Sequence, residues 1–235
     1  MNTHEQAKEI LSRARKAKRN VLLEPEAKAL LASYGCAVTK EKVAVSAEEA
    51  AAFASELGFP VVAKIVSPQI IHKTDAKCVK VNLENPEKVK GAFKEIMSNA
   101  KAYDANARIE GVLLYHMVSG GEEVIIGLET DPTFGKVIMF GLGGIWVEVM
   151  KDVSFRVVPV SREDARDMVE EIKGYPLLTG IRGKSAKDID ALCDMLVQVS
   201  KLAEANSEIA EMDLNPIFVM EKGAIIVDAR IILSE

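Results

Sequence analysis

Apolar residues recur at helical spacing near the N-terminus, where Ala7, Ile10, Leu11 and Ala14 fall on one side of a helix predicted over 3–19. A second helix is predicted from Glu24-Pro25, through Leu30, Leu31 and Tyr34, to Gly35. Proline sits in its first turn, where an N–H is not needed, and glycine closes it. Ser46-Ala47-Glu48-Glu49 reads as a capping box, followed by the apolar stripe Ala50, Phe53, Ala54 and Leu57 up to Gly58. Asn85-Pro86 opens a helix with Val89, Phe93, Ile96 and Met97 inward, and Ser161-Arg162-Glu163-Asp164 caps another. Ile189, Leu192, Leu196, Val199 and Ala203 alternate spacings of 3 and 4 and predict a long helix. Strands are predicted over 43–45, 61–66, 79–83, 112–118, 123–128, 136–140, 146–150 and 154–160. A terminal hairpin over 216–220 and 224–231 turns at Glu221-Lys222-Gly223. The pattern is α+β without repeats: an N-terminal helix over 1–20, a first lobe over about 21–112 and a second over about 113–235.

Two stretches break this pattern in ways that suggest chemistry. In the first, Lys64 interrupts an apolar strand, and a loop of about a dozen residues follows before the next strand. Loops that long are uncommon unless functional or disordered. It holds His72, one of three histidines beside His4 and His116. By these residues alone it is either an exposed histidine without a task or a reactive one. In the second, Glu211, Asp213 and Asn215 share one face of an extended strand. Asp228 lies in the apolar run 225–232, where a carboxylate is costly unless paired, as with Arg230, or bound to a cation. The hairpin brings it within about one residue pair of Asn215. Facing oxygen donors of this kind suit magnesium, completed by phosphate and water.

Other phosphate motifs fail. A Walker loop ending at Gly183-Lys184-Ser185 needs glycine where Leu178 stands, and a dinucleotide fingerprint through Gly141, Gly143 and Gly144 needs one at Trp146. Composition adds limits. With 49% hydrophobic and 28% charged residues the chain fits a soluble globular protein, and a net charge of −5 excludes a broad basic surface for nucleic acid. Cys36, Cys78 and Cys193 lack paired or metal-like spacing, which points to a reducing compartment. There is no apolar run of the ~18 residues a membrane span needs, nor the apolar core of a signal peptide. A cytoplasmic protein with neither membrane nor nucleic-acid partners is expected.

Ser67-Pro68 followed by His72-Lys73-Thr74-Asp75 resembles the phosphohistidine segment of the beta subunits of ADP-forming acetyl-CoA and acyl-CoA synthetases. The family has two glycines before the next valine; here Lys77-Cys78 precede Val79. The resemblance extends over roughly 22–232, through Leu23-Glu24-Pro25-Glu26-Ala27, 58–64, 121–127, Asp131-Pro132, Phe134-Gly135, 140–144, Glu148, Asp152, Phe155-Arg156 and the run from Glu211 to Pro216. It implies an α+β, two-lobe ATP-grasp fold whose antiparallel sheets clamp a nucleotide, with ATP/ADP and Mg2+ as cofactors. It further implies that Lys64 neutralises the α- and β-phosphates, that backbone groups of Tyr115, Met117 and Val118 meet the adenine edge, and that Glu123 contacts the nucleotide. Arg156 would stabilise the phosphoryl group in transit; for Glu123 and Arg156 a surface ion pair is the other reading. Asn215 and Asp228 match magnesium ligands of the more distant succinyl-CoA synthetase beta subunit.

The implied activity is the reversible conversion of acyl-CoA, ADP and phosphate to acid, CoA and ATP. His72 would carry phosphoryl between an alpha subunit, in an α2β2 assembly, and ADP. Its loop is expected to be mobile, reaching on the order of 20–30 Å when extended. Two alternatives are a self-contained ATP-grasp carboxylate ligase and a non-catalytic nucleotide-sensing module. Gly180-Ile181-Arg182-Gly183 also matches the family, without an evident chemical role.

Overall fold

The computed structural model describes residues 3–144, 151–181, 183 and 185–234. The chain forms two compact units, Thr39–Ser119 and Met1–Val38 together with Gly120–Glu235. Among the described residues no helix is long and apolar enough to cross a membrane.

The Thr39–Ser119 unit is a four-stranded antiparallel sheet backed by two helices. In chain order it contains β1 (Glu41–Ala44), α3 (Ala47–Leu57), β2 (Val61–Val66), β3 (Val79–Leu83), α4 (Pro86–Tyr103) and β4 (Gly111–His116). The spatial order is β1-β4-β2-β3. Local chemistry sets the helix ends: Ser46 accepts the Glu49 N–H at 3.1 Å, and Asn85 accepts the Lys88 N–H at 2.9 Å. One face of the sheet presents Val61, Ala63, Ile65, Val112 and Leu114 to Ala50, Ala54, Val89, Phe93 and Ile96 of the helices, and these residues form the core.

The larger unit holds α1 (Thr3–Lys16), α2 (Glu24–Ser33), β5 (Glu122–Asp131), β6 (Gly135–Leu142) and β7 (Val153–Val157). It continues with α5 (Arg162–Glu171), α6 (Tyr175–Thr179), α7 (Ile189–Ala205), β8 (Ile209–Val219), β9 (Ala224–Ile226) and β10 (Arg230–Leu233). Its sheet runs β10-β8-β5-β6-β7, with β9 also paired to β8. The core lies on one face, where Ile126, Ile138, Phe140, Leu214 and Ile231 meet Leu192, Leu196, Val199 and Leu202 of α7. Each of those helix side chains contributes about 1.5–3 kcal/mol through burial.

The division into units differs from the expected lobes. Residues 21–38 belong with the C-terminal unit, because Leu22, Ala27, Leu30 and Leu31 pack in the same core as α7. The smaller unit runs to Ser119 rather than ending at 112, because β4 pairs with β1 on one side and β2 on the other. The strand expected over 146–150 lies outside the described residues, as does Glu148. The short α6 carries no helical repeat long enough to be read from sequence. The predicted second strand of the terminal hairpin is broken into β9 and β10.

One cation ties the sheet of this unit to its longest helix. The Lys136 ammonium donates to the carbonyls of Ala203 and Asn206, each at 2.6 Å, at the C-terminal end of α7. Burial lowers its pKa, and the helix-end carbonyls offset that desolvation. Lys136→Met is expected to cost about 2 kcal/mol. That would lower the melting midpoint by roughly 4–8 °C for a chain of this size; an unchanged midpoint in calorimetry would refute the tie.

Candidate functional site

In the smaller unit two of the candidate residues, Lys64 and Tyr115, lie on the sheet face opposite its core. Register places Lys64 beside Leu113 and Val62 beside Tyr115, so Lys64 and Tyr115 are diagonal neighbours on one face. Lys64 is 6% exposed and Tyr115 3%. The Lys64 Nζ stands 5.0 Å from the centroid of the Tyr115 ring, within cation–π range.

The expected use of the 115–118 backbone needs correction in two places. Tyr115 lies on an interior strand, with Glu41 beside it on β1 and Val62 on β2, so its backbone edges face neighbouring strands. The Met117 N–H already donates to the Pro60 carbonyl at 2.8 Å. Val118 follows the last sheet residue, His116, by two positions and stands outside the ladder.

The loop from β2 to β3 is wound up rather than open. Ala76 N–H donates to the His72 carbonyl at 3.1 Å, Lys77 to Thr74 at 2.9 Å and Cys78 to Lys73 at 2.8 Å. Ile70, Ala76 and Cys78 are buried and anchor it, while Ile71 and His72 are exposed at its outer turn. Lys77 adopts φ +53°, the left-handed region that favours glycine. The chain thus follows the backbone path of a glycine here, at a cost of about 1 kcal/mol. Lys77 itself is exposed, whereas the next residue, Cys78, is fully buried.

In the larger unit, alternation along β8 buries Met212 and Leu214 and exposes Glu211, Asp213 and Asn215 on the face away from the helices. Between Ile217 and Leu214, three steps of β8 match two of β5, from Val124 to Ile126. This is a bulge at Asn215-Pro216, a suitable place for a residue without an N–H. On the other side of β8, Ile217 pairs with Ile226 and Asp213 with Arg230. The same count sets Asn215 opposite Asp228, in the gap between β9 and β10. A bulge bends its strand and disrupts the ladder, which accounts for the break at 227–229. Val227 still donates to Pro216 at 3.0 Å. The two oxygen-bearing residues therefore face each other where the sheet is irregular.

A cavity of about 450 Å³ opens on this face beside them, walled by Glu129, Met139, Phe155, Glu211, Asp213 and Arg230 among others. Desolvation raises the Asp213 pKa; Arg230 opposes this and Asp228 adds to it. Asp213 and Arg230 were not among the expected site residues, although the i, i+2, i+4 run from Glu211 already placed Asp213 on this face. Among the described residues no group of three or more His, Cys, Asp or Glu side chains could hold a metal ion. A cation here would rest on few protein oxygens and take the rest of its shell from phosphate and water. Magnesium is bound in that way, and zinc is not; the donor set fits magnesium.

Glu123 is exposed near the start of β5, beside a second cavity of about 330 Å³ lined by Gly120, Gly121, Gly143, Gly144 and Phe218 among others. Its carbonyl accepts the Gly143 N–H at 2.7 Å. A Cβ on Gly143 would stand 3.1 Å from the Glu123 backbone, tight enough that a larger residue there would push the strand by a few tenths of an ångström.

Arg156 is not brought to this face. It pairs with Ile138 and shares the helix-covered side with Ser154, whose hydroxyl donates to the Met168 carbonyl at 2.8 Å. The guanidinium binds both carboxylate oxygens of Glu171 on α5, one at 2.9 Å. That bond holds the Glu171 carboxyl below its usual range. The arrangement is a tie between β7 and α5, so the expectation of a catalytic Arg156 is set aside. Ile181 is 38% exposed and Gly180 follows α6 with φ +84°, while Arg182 lies outside the described residues.

The profile of the ATP-grasp domain family matches residues 13–233. The beta subunit of ADP-forming acetate–CoA ligase I of Pyrococcus furiosus is 53% identical over 227 residues, 97% of each chain. The acetyl-coenzyme A synthetase 1 of Ca. Korarchaeum cryptofilum, solved with coenzyme A and Ca-AMPCP, superposes with a TM-score of 0.94 at 50% identity, covering 97% of this chain and 100% of that one. A second structure of that enzyme, with coenzyme A and Mg-AMPPCP, has its phosphohistidine segment pointing towards the nucleotide-binding site. It matches at a TM-score of 0.86 and 47% identity, over 97% of this chain and 100% of that one.

Proposed function

This chain belongs to the ATP-grasp family, with the beta subunits of the ADP-forming acetate–CoA ligases, and from that premise we infer how its residues divide the work. The protein is the nucleotide-binding beta subunit of an ADP-forming acyl-CoA ligase. It moves phosphoryl between a histidine and ADP/ATP and works with an alpha subunit. An α2β2 assembly and a cytoplasmic location are part of the proposal; the latter rests on three cysteines that are free and buried.

The observation that carries the reading is an exposed His72 at the outer turn of the loop that leaves the strand of Lys64. In its neutral form an imidazole keeps one nitrogen lone pair, which suits it to accept phosphoryl near neutral pH. Lys64 supplies a positive charge for the nucleotide phosphates. Val118 offers the backbone donor for the base, because the Met117 N–H is taken, and Glu123 contacts the sugar. Asn215 and Asp228 hold the cation, which when bound neutralises phosphate charge and orients the nucleotide. With Arg156 engaged by Glu171, charge on the phosphoryl group falls to Lys64 and the cation site.

The test is reconstitution. The purified chain, given Mg-ATP, acetate and coenzyme A, is expected to make no acetyl-CoA, and addition of the alpha subunit should restore synthesis. Native mass spectrometry of the active complex would give its stoichiometry. Acetyl-CoA formation by this chain alone would overturn the division of labour and favour a self-contained ligase.

A further inference from the structure

We propose that the ring of Tyr115 positions the Lys64 ammonium for the nucleotide phosphates, and that this face-on contact sets nucleotide affinity. The inference rests on the reading of Lys64 as the phosphate-binding lysine. Three observations support it. The two side chains are diagonal neighbours on the same sheet face, both are almost fully buried, and the ammonium lies 5.0 Å from the ring centroid. The Tyr115 backbone lies between β1 and β2, which leaves its side chain as the part able to act.

The chemistry explains why an aromatic ring suits this position. A lysine side chain has four rotatable carbon–carbon links and loses much freedom when fixed. A ring face attracts the ammonium through its quadrupole and carries no formal charge. It therefore restrains the lysine without cancelling the charge a phosphate needs, whereas a carboxylate in the same place would restrain it and neutralise it together. On this reading Tyr115 is a positioning residue and acts through Lys64.

The test uses the complex with the alpha subunit and Mg-ADP as the probe. Phenylalanine at position 115 serves as the reference, and its 4-fluoro, 3,5-difluoro and 3,4,5-trifluoro analogues withdraw charge from the ring face at nearly constant shape. Log Kd for Mg-ADP is expected to rise in step with fluorination. The full series should span on the order of tenfold, as should the rise in KM, with kcat little changed. Tyr115→Leu should match the most fluorinated member, and the dependence should vanish in a Lys64→Met background. A flat series, with Tyr115→Leu altering only the melting midpoint, would overturn the proposal and leave the ring as packing. If Lys64→Met itself leaves Mg-ADP affinity unchanged, the phosphate role of Lys64 fails, and the proposal with it. If Lys64→Met weakens binding while the series stays flat, only the proposal fails.

Discussion

His72→Ala is expected to abolish net ATP formation from acyl-CoA while preserving ADP binding. The side chain is exposed and its loop is closed by backbone bonds, so the substitution leaves the fold alone. Only the nucleophilic nitrogen is lost. Covalent carriage splits one difficult transfer into two shorter ones. Without the carrier, phosphoryl held on the partner would need to reach ADP directly. The loss should exceed about a thousandfold, since an aligned nucleophile contributes effective molarities far above those in solution.

Two measurements check this. Incubation with γ-labelled Mg-ATP should place an acid-labile, base-stable phosphate on His72 in the parent chain and none in the variant. Partial reactions confined to the alpha subunit should survive. ATP formation at near parental rate would mean direct transfer, and an unlabelled but active parent chain would point to a self-contained ligase. The loop geometry adds a constraint. Ile70, Ala76 and Cys78 are buried, so a long excursion of His72 requires those anchors to release, not merely the outer turn to unwind.

The second large effect concerns the cation. Asn215→Ala and Asp228→Ala should each reduce Mg-nucleotide use by about a hundredfold or more, the scale of several kcal/mol of lost charge stabilisation. Both residues sit where the ladder is already interrupted, Asn215 at the bulge of β8 and Asp228 between β9 and β10. Neither belongs to the buried core of that sheet, so melting midpoints should change little. Asp228→Asn is the sharper probe, because it keeps shape and an oxygen while removing charge. The variants should be most impaired at limiting magnesium. Parental activity there in both alanine variants would remove Asn215 and Asp228 from the cation site.

Some of this was legible in the chain itself. The stripes of α1 and α7, the caps at Ser46, Asn85 and Ser161, and the glycine stops at Gly35 and Gly58 all lie where sequence placed them. The shared face of Glu211, Asp213 and Asn215 follows from period two alone. Strand β7 shows where such reading ends. Phe155 and Val157 are each 49% exposed, whereas Ser154 is buried and Arg156 lies on its side, partly exposed at the end of α5. Hydropathy would assign those faces the other way round. Ser154 is accepted inside because the Met168 carbonyl takes its hydroxyl, and the partly exposed Arg156 is held on that side by Glu171 of α5, partners no local window contains.

What the sequence determined by itself is the set of elements, their caps and turns, and the family, because each is encoded by residues within a few turns or a short motif. Tertiary structure decided where α2 packs, the bulge of β8 against β5 beside the Asn215–Asp228 pair, the turn away of Arg156 and the contact of Lys64 with Tyr115. All of these depend on pairing between distant segments, as where Glu122 meets Val219. A shift of one residue in such a register turns every side chain of a strand to the other face. That choice is made by the whole packed core, and no single stretch of the chain contains it.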